Sequence, residues 1–392
     1  MLTLVRRGQV ITPGQTLEDT ALVIEGGRIA ALLPDRQIAE HPLGAQVIDA
    51  RGLSVLPGLI DLHVHGGAGG DTMDATPRAL HAMARFFLRH GVTTYLATTI
   101  TASPQDIRAA IANASGFSPA PDEAQPLGVH LEGPCLSAAY CGAQPVEWLR
   151  APDPDEYLPW FDSPAVRLMT IAPELPGAER CIRDGISRGL RFSAGHTAAT
   201  YAQLQRAVDA GLSQSTHTFN GMLGLHHREP GTAGAVLVDD RISAEIIADG
   251  VHVHPAVIKL VVRAKGTGRT LLVTDAMRAA GLGDGVYDLG GQSITVAGGV
   301  ARTASGGLAG STLTLNRAVF NVMHFAGLSL NQAVAMATTT PASILGLDGR
   351  KGVIRPGADA DLILVDANLD VKAALVAGRL ASWSLRCAKQ GL

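Results

Sequence analysis

Arg191-Phe-Ser-Ala-Gly-His196 and Ser213-Gln-Ser-Thr-His217 decide how this chain of 392 residues is read. Each is a short β-like run that stops on a histidine. Between them, Thr200 to Gly211 has helical spacing, with Tyr201, Leu204 and Val208 on the inward face. Strand, helix and strand make one β/α repeat, whose strands run parallel. The two imidazoles then sit at the carboxyl ends of consecutive strands and point into one mouth. Imidazole suits a divalent transition metal, and a catalytic metal site takes about three protein ligands and leaves a position for water. Two histidines are too few, so further ligands have to come from other strands.

The same alternation extends over residues 57–348. Apolar β-like runs fall at Leu59–His65, Val92–Thr98, Leu127–Glu132, Arg167–Ala172, Leu190–His196, Leu212–His217, Ile242–Asp249 and Thr270–Asp275. Helices are marked between them. Thr76 reads as an N-cap with Pro77 at the first helical position, Leu80, Met83 and Phe87 share a face, and Gly91 closes the end. Pro255 to Gly266 repeats the pattern with Ile258, Val261 and Val262. Near-continuous apolar strands joined by helices form a parallel sheet covered on both faces. Eight of them predict a closed (β/α)8 barrel of the TIM type, with its active site at the C-terminal ends of the strands. Tyr287–Leu289, Ser293–Val296 and Val300–Thr303 are expected as an insertion over the barrel mouth, followed by helices Ser311–Ala326 and Leu330–Leu347.

The ends read differently. Leu2–Val5, Leu22–Glu25, Arg28–Leu33 and Gln46–Asp49 are short strands, with Gly26-Gly27 as a hairpin turn, and Ala360–Val365, Val371–Ala374 and Ala377–Leu380 have the same character. Residues 1–56 and 349–392 are therefore expected to build one small β-sandwich domain together.

Composition narrows the function. The net charge of −3 gives no cue for nucleic acid or an anionic membrane, and 4% aromatic residues argue against a base-stacking surface. No apolar run approaches the roughly 20 residues that cross a bilayer, and the N-terminal Met1-Leu-Thr-Leu-Val-Arg-Arg does not read as a signal peptide. Cys135, Cys141, Cys181 and Cys387 show neither metal-ribbon spacing nor a disulfide framework, so a reduced cytoplasmic setting is expected.

Placing the polar residues on the strand ends brings a pattern out. Strand one ends Asp61-Leu-His63-Val-His65, and residues two apart on a strand face the same way. Strand three ends His130-Leu-Glu132-Gly133-Pro134, strands five and six end on His196 and His217, and strand eight ends Thr274-Asp275-Ala276-Met277. His63, His65, Glu132, His196 and His217 are thus candidate ligands on matching ends, with Asp275 as an extra carboxylate. Any one of these histidines alone reads as a core or surface residue. The set requires too many coincidences of position for that.

This constellation resembles the amidohydrolase superfamily, and most closely its N-acetylglucosamine-6-phosphate deacetylase branch. The likeness covers nearly the whole chain and rests on Pro57-Gly-Leu-Ile-Asp-Leu-His-Val-His65, His130-Leu-Glu-Gly-Pro134, Thr218-Phe-Asn-Gly-Met222, His226-His-Arg-Glu-Pro-Gly231, Asp249-Gly-Val-His252, Thr274-Asp-Ala-Met277 and Leu308-Ala-Gly-Ser311. The resemblance implies that Glu132, His196 and His217 hold the main divalent metal, zinc first and iron as the alternative. Family members carry one metal or two, and His63 with His65 would hold the second, bridged by Glu132; the competing reading leaves that pair empty. Strand four, Arg167–Glu174, has no lysine, which disfavours the branches that bridge their metals with a carbamylated lysine. Asp275, which in isolation also reads as a helix N-cap, becomes the proton carrier. Ala143, Gln144, Asn220, Gly221, Arg228, His252, Leu308, Ala309 and Gly310 become the substrate contacts. Family members are typically homodimers in which the arginine matching Arg228 reaches the neighbour's substrate. His226, His227 and His254 are read as structural or surface residues.

One stretch departs from the family. Cys135 stands where an aromatic residue is usual, and Tyr140-Cys-Gly-Ala-Gln144-Pro145 has Gln144 where the family has histidine. A glutamine hydrogen-bonds without ever carrying charge. Gly221 stands where alanine is common, and Cys135 reads as a small apolar filler. The expected activity is removal of acetate from N-acetylglucosamine 6-phosphate. The alternatives are the galactosamine epimer, an unphosphorylated acetamido sugar, a cyclic-amide substrate, or sugar-phosphate binding without catalysis.

Overall fold

Leu59-Ile-Asp-Leu-His-Val64 and Val92-Thr-Thr-Tyr-Leu-Ala-Thr-Thr99 are buried at every position, which is how a parallel strand with helices on its outer face must read. The structure is a computed structural model that describes residues 2–39 and 44–382; Cys387 and the rest of 383–392 lie outside the described residues. Eight strands pair in parallel in chain order: Leu59–Val64, Val92–Thr99, Gln125–Glu132, Val166–Ile171, Arg191–Ala194, Gln214–Ser215, Ser243–Ile247 and Thr270–Val273. The first and last approach each other, with Asp275 N donating to His63 O at 2.9 Å and Thr274 Oγ1 to Asp61 Oδ2 at 2.6 Å. The sheet thereby curls into a (β/α)8 barrel.

The helices start where their caps predict. Thr76 Oγ1 accepts from Ala79 N ahead of Pro77–Arg89, and Thr200 forms a capping box with Gln203 ahead of Tyr201–Asp209. Leu204 and Val208 face inward as expected, while Tyr201 is only half-buried.

Several strands stop short of their hydrophobic runs. Strand five ends at Ala194 rather than His196, strand six spans Gln214–Ser215 rather than reaching His217, and strand eight ends at Val273 rather than Asp275. His196, His217 and Asp275 instead take left-handed backbone angles, with φ of 46°, 27° and 50°. The amides beyond strand six leave the ladder: His217 N donates to the Glu245 carboxylate and Thr218 N to Glu245 O. Strained non-glycine backbone of this kind clusters at functional sites.

The expected helix Leu330–Leu347 is two helices, Leu330–Met336 and Thr339–Ile344. Pro341 has no N–H to offer Ala337 O, which accepts from Ile60 N of strand one instead. The helix expected from Ser311 begins at Leu315, because Ser311 N and Oγ bond Asp275 O and Thr274 O in the turn after strand eight.

Gly285–Leu289, Gln292–Ala297 and Val300–Thr303 form a three-stranded antiparallel sheet. It packs Leu289, Ile294, Val296 and Ala301 against Ile100, Met277 and Ala309 around the mouth, as the sequence predicted.

The chain ends make two further sheets. Leu2–Arg6, Thr20–Glu25, Arg28–Pro34 and Ala45–Asp49 form one; Gln9–Thr12, Gln15–Leu17 and Ser54–Pro57 join Leu362–Val365, Val371–Val376 and Arg379–Ser382 in the other. Val5, Leu22 and Ile48 share a core with Leu362, Leu364 and Leu375, so the two ends do pack together. Ala377-Gly378 is a turn rather than strand, both residues having positive φ. No described helix is long and apolar enough to cross a membrane.

Candidate metal centre

His196 Nε2, His217 Nε2 and Glu132 Oε1 form a triangle with edges of 3.1, 3.2 and 3.3 Å. His63 Nε2, His65 Nε2 and Asp275 Oδ1 form a second, with edges of 3.3, 3.3 and 3.4 Å. All six residues are buried. Glu132 joins the two groups: its Oε2 lies 3.2 Å from His65 Nε2, and its Oε1 lies 3.5 Å from His63 Nε2. The six residues that the sequence set at or near strand ends come together, and the two strand-one histidines face the same way.

These donors fit a divalent cation. Ligands held at about 2.0–2.1 Å in a tetrahedron sit roughly 3.3 Å from one another, which matches both triangles. Tautomers point the same way. His196 Nδ1 donates to Tyr140 O at 2.8 Å and His217 Nδ1 to Asn220 O at 3.1 Å. In the neutral rings both Nε2 atoms then present lone pairs toward one point, an arrangement that suits a cation between them. Imidazole and carboxylate without thiolate suit a first-row divalent metal.

The electrostatics of the metal-free protein agree. Burial works against charge on His63, but Glu132 and Asp275 opposite hold its pKa well above the ordinary value. Burial is likewise overcome at His65, where hydrogen bonds to Asp275 and Glu132 push it up to about 9. Asp275, opposed by burial but drawn down by His63 and His65, lies at about 2. Protons are held where positive charge is wanted.

A cleft of about 330 Å³ opens above the centre. His65, Glu132, His196, His217 and Asp275 form part of its wall, together with Leu289, Thr303 and Ser305 of the insertion.

Residues 54–383 match the amidohydrolase family. An N-acetylgalactosamine-6-phosphate deacetylase from Escherichia coli O157:H7 is 40% identical over 98% of this chain and 100% of its own length. The chain belongs to the amidohydrolase family. An N-acetylglucosamine-6-phosphate deacetylase from Lysinibacillus sphaericus is 38% identical to this amidohydrolase, over 96% of the chain and 97% of its own length. The solved structure of N-acetylglucosamine-6-phosphate deacetylase from Pasteurella multocida superposes with a TM-score of 0.92 at 30% identity, covering 98% of this chain and 100% of that one.

Most of the expected substrate contacts of the amidohydrolase gather at the cleft. Ala143, Gln144, Asn220, Gly221, His252, Leu308 and Gly310 line it. Asp249 Oδ2 accepts from His252 Nδ1 at 2.6 Å and fixes that ring. Ala309 does not line the cleft, because its side chain is buried in the core of the insertion. Arg228 does not line it either: it is exposed and donates to His227 Nε2 at 2.8 Å. His227 is thus a surface partner, as read. Cys135 is buried in the main core, consistent with a filler.

Two residues without a role in the sequence reading sit beneath the centre. Asp61, pushed up to about 7 by burial, accepts from His63 N and Thr274 Oγ1 and ties strand one to strand eight. Glu245, on strand seven, accepts from His63 Nδ1. The signal for both was a lone carboxylate inside a largely apolar strand.

Proposed function

We propose that this amidohydrolase removes the acetyl group of N-acetylglucosamine 6-phosphate, giving glucosamine 6-phosphate and acetate, in cytoplasmic amino-sugar catabolism or recycling. The observation that carries the reading is the pair of buried ligand triangles meeting on Glu132 at the wall of a cleft. The names borne by relatives at 38–40% identity over the whole chain support the substrate class.

In this reading Glu132, His196 and His217 hold the main cation, and His63 and His65 hold a second. A bound divalent cation lowers the pKa of a water and polarises a carbonyl oxygen. The chain supplies the rest. Asp275, a carboxylate at neutral pH facing the centre, takes a proton from the attacking water and hands it to the amide nitrogen. The C–O bond forms, the C–N bond breaks, and the nitrogen leaves as an amine rather than as a poor amide anion. His252 and Asn220 hold the sugar phosphate from within the cleft. Arg228, outside its own cleft, serves the partner's substrate in a homodimer.

Acetate release by zinc- and iron-loaded protein tests the reading, with both 2-acetamido epimers as 6-phosphates and as free sugars. Turnover of none of them overturns it. Asp275→Ala should lower kcat by about 10²–10⁴ while substrate still binds; undiminished turnover removes Asp275 from its role. N-acetylgalactosamine 6-phosphate is the second substrate reading, favoured by the name of the 40% identical relative. The ratio of kcat/KM for the two epimers decides between them.

A further inference from the structure

Glu245 is fully buried in Ser243–Ile247, a strand otherwise made of apolar residues below its first position. Its Oε2 accepts from His63 Nδ1 at 3.2 Å and from His217 N at 3.2 Å. Its Oε1 is buried with no hydrogen-bond partner. A carboxylate in such a place costs stability, and an unpaired oxygen adds to the cost, whereas leucine would fill the position without penalty. The residue therefore needs a reason other than packing.

Its two contacts supply one. His63 belongs to one ligand triangle and His217 to the other. By accepting from Nδ1, Glu245 fixes the His63 tautomer with the Nε2 lone pair aimed at His65, Asp275 and Glu132. A carboxylate behind a ligating imidazole also makes it a stronger donor. His196 and His217 have backbone carbonyls in this position instead, Tyr140 O and Asn220 O. The bond to His217 N acts where the backbone is strained, at φ 27°. Thr218 N donates to Glu245 O at 2.9 Å and braces the same turn.

We infer that Glu245 is a positioning residue that couples the two metal-binding groups, setting the His63 ring for one cation and the His217 backbone for the other. The inference rests on the metal-dependent reading above and goes beyond it by assigning a carboxylate that touches neither cation nor substrate. Its larger effect falls on the His63–His65 side, where the contact is to the ligating ring itself.

The experiment is equilibrium dialysis of the full chain against buffered free zinc, with metal counted per protein, for wild type, Glu245→Gln, Glu245→Ala, His63→Ala and the double variant Glu245→Gln/His63→Ala. Cobalt-loaded absorption spectra give a second readout, and thermal melts of the metal-free proteins report folding. Wild type should take up about two cations per chain. Glu245→Ala should weaken the second by about 10- to 100-fold, with a changed cobalt spectrum, and Glu245→Gln, which keeps an acceptor but not the charge, should fall between. In the His63→Ala background Glu245→Gln should cost the remaining cation less than 3-fold.

Glu245→Gln and Glu245→Ala proteins that bind both cations with wild-type affinity overturn the inference. So does a wild type that takes up only one. If Glu245→Ala does not fold, Glu245→Gln decides alone: a weakening of about 3-fold or more supports the inference and a smaller change rejects it. A merely structural role would lower the melting temperature and leave affinities and cobalt spectra unchanged, which also rejects it. Failure of the wider reading looks different: a wild type that holds no metal or releases no acetate.

Discussion

Gln144 donates its Nε2–H to Glu132 Oε2 across 2.6 Å, while Thr101 N donates to Gln144 Oε1 at 2.9 Å. The backbone N–H can only donate, so it fixes which end of the amide is oxygen and turns the nitrogen toward Glu132. The residue the sequence marked as a substrate contact is thus also a clamp on the shared carboxylate. It leaves Oε1 to His196 and His217. Gln144→Glu sets carboxylate against carboxylate and should weaken metal binding by about 10- to 100-fold, with Gln144→Ala milder. Competition with a chelator measures this, and unchanged affinity in Gln144→Glu would show that the clamp is idle.

Gly221 shows why its departure from the commoner alanine matters here. It has φ 55°, and a Cβ added to it would lie 2.9 Å from His196 Nδ1. That atom already donates to Tyr140 O. Gly221→Ala adds roughly 1–2 kcal/mol of backbone strain and pushes on a ligand ring. Metal affinity should fall with little loss of overall fold, as read by dialysis and circular dichroism. An alanine variant with wild-type zinc affinity would mean that the loop relaxes.

Much of this centre was legible because its ligands lie at strand ends, where hydrophobic runs stop on His65, Glu132, His196, His217 and Asp275. What the runs did not disclose was the turn itself. Sequence periodicity reports burial, and these residues remain buried after the strand has ended, so the runs overshoot to His196 and His217. At strand six the bend is braced by side-chain capture of a backbone amide, His217 N on Glu245, and such a long-range bond has no local pattern. The same holds for Gln144, whose role depends on Thr101, 43 positions earlier. Arg228 was placed by resemblance, and a single chain leaves it on the surface.

Arg228 therefore makes a separable prediction. If it reaches a neighbour's substrate phosphate, Arg228→Ala should raise KM for the 6-phosphate by about 10- to 100-fold with kcat nearly kept, since a hydrogen bond to a charged group is worth roughly 1.5–3 kcal/mol. Activity on the unphosphorylated sugar should not change. Sedimentation of wild type should show a dimer. An equal loss on both substrates would assign Arg228 to stability instead.

Metal uptake should release protons in a pH-dependent way. In the metal-free protein, burial disfavours charge on His65, but its hydrogen bonds to Asp275 and Glu132 hold its pKa up at about 9. Below that pH an entering cation must displace the proton, so affinity rises with pH. Titration calorimetry in buffers of different ionisation enthalpy counts the protons released, and the count should shrink as pH passes through about 9. The stability sign runs opposite. A histidine whose folded pKa is raised stabilises the metal-free fold fully below its unfolded value of 6.5, and that contribution is lost as pH climbs through about 9. Metal-free protein should thus melt earlier across this alkaline window while the loaded protein gains. Proton release that stays constant from pH 6.5 to above 9 would mean that His65 is already neutral before the cation arrives.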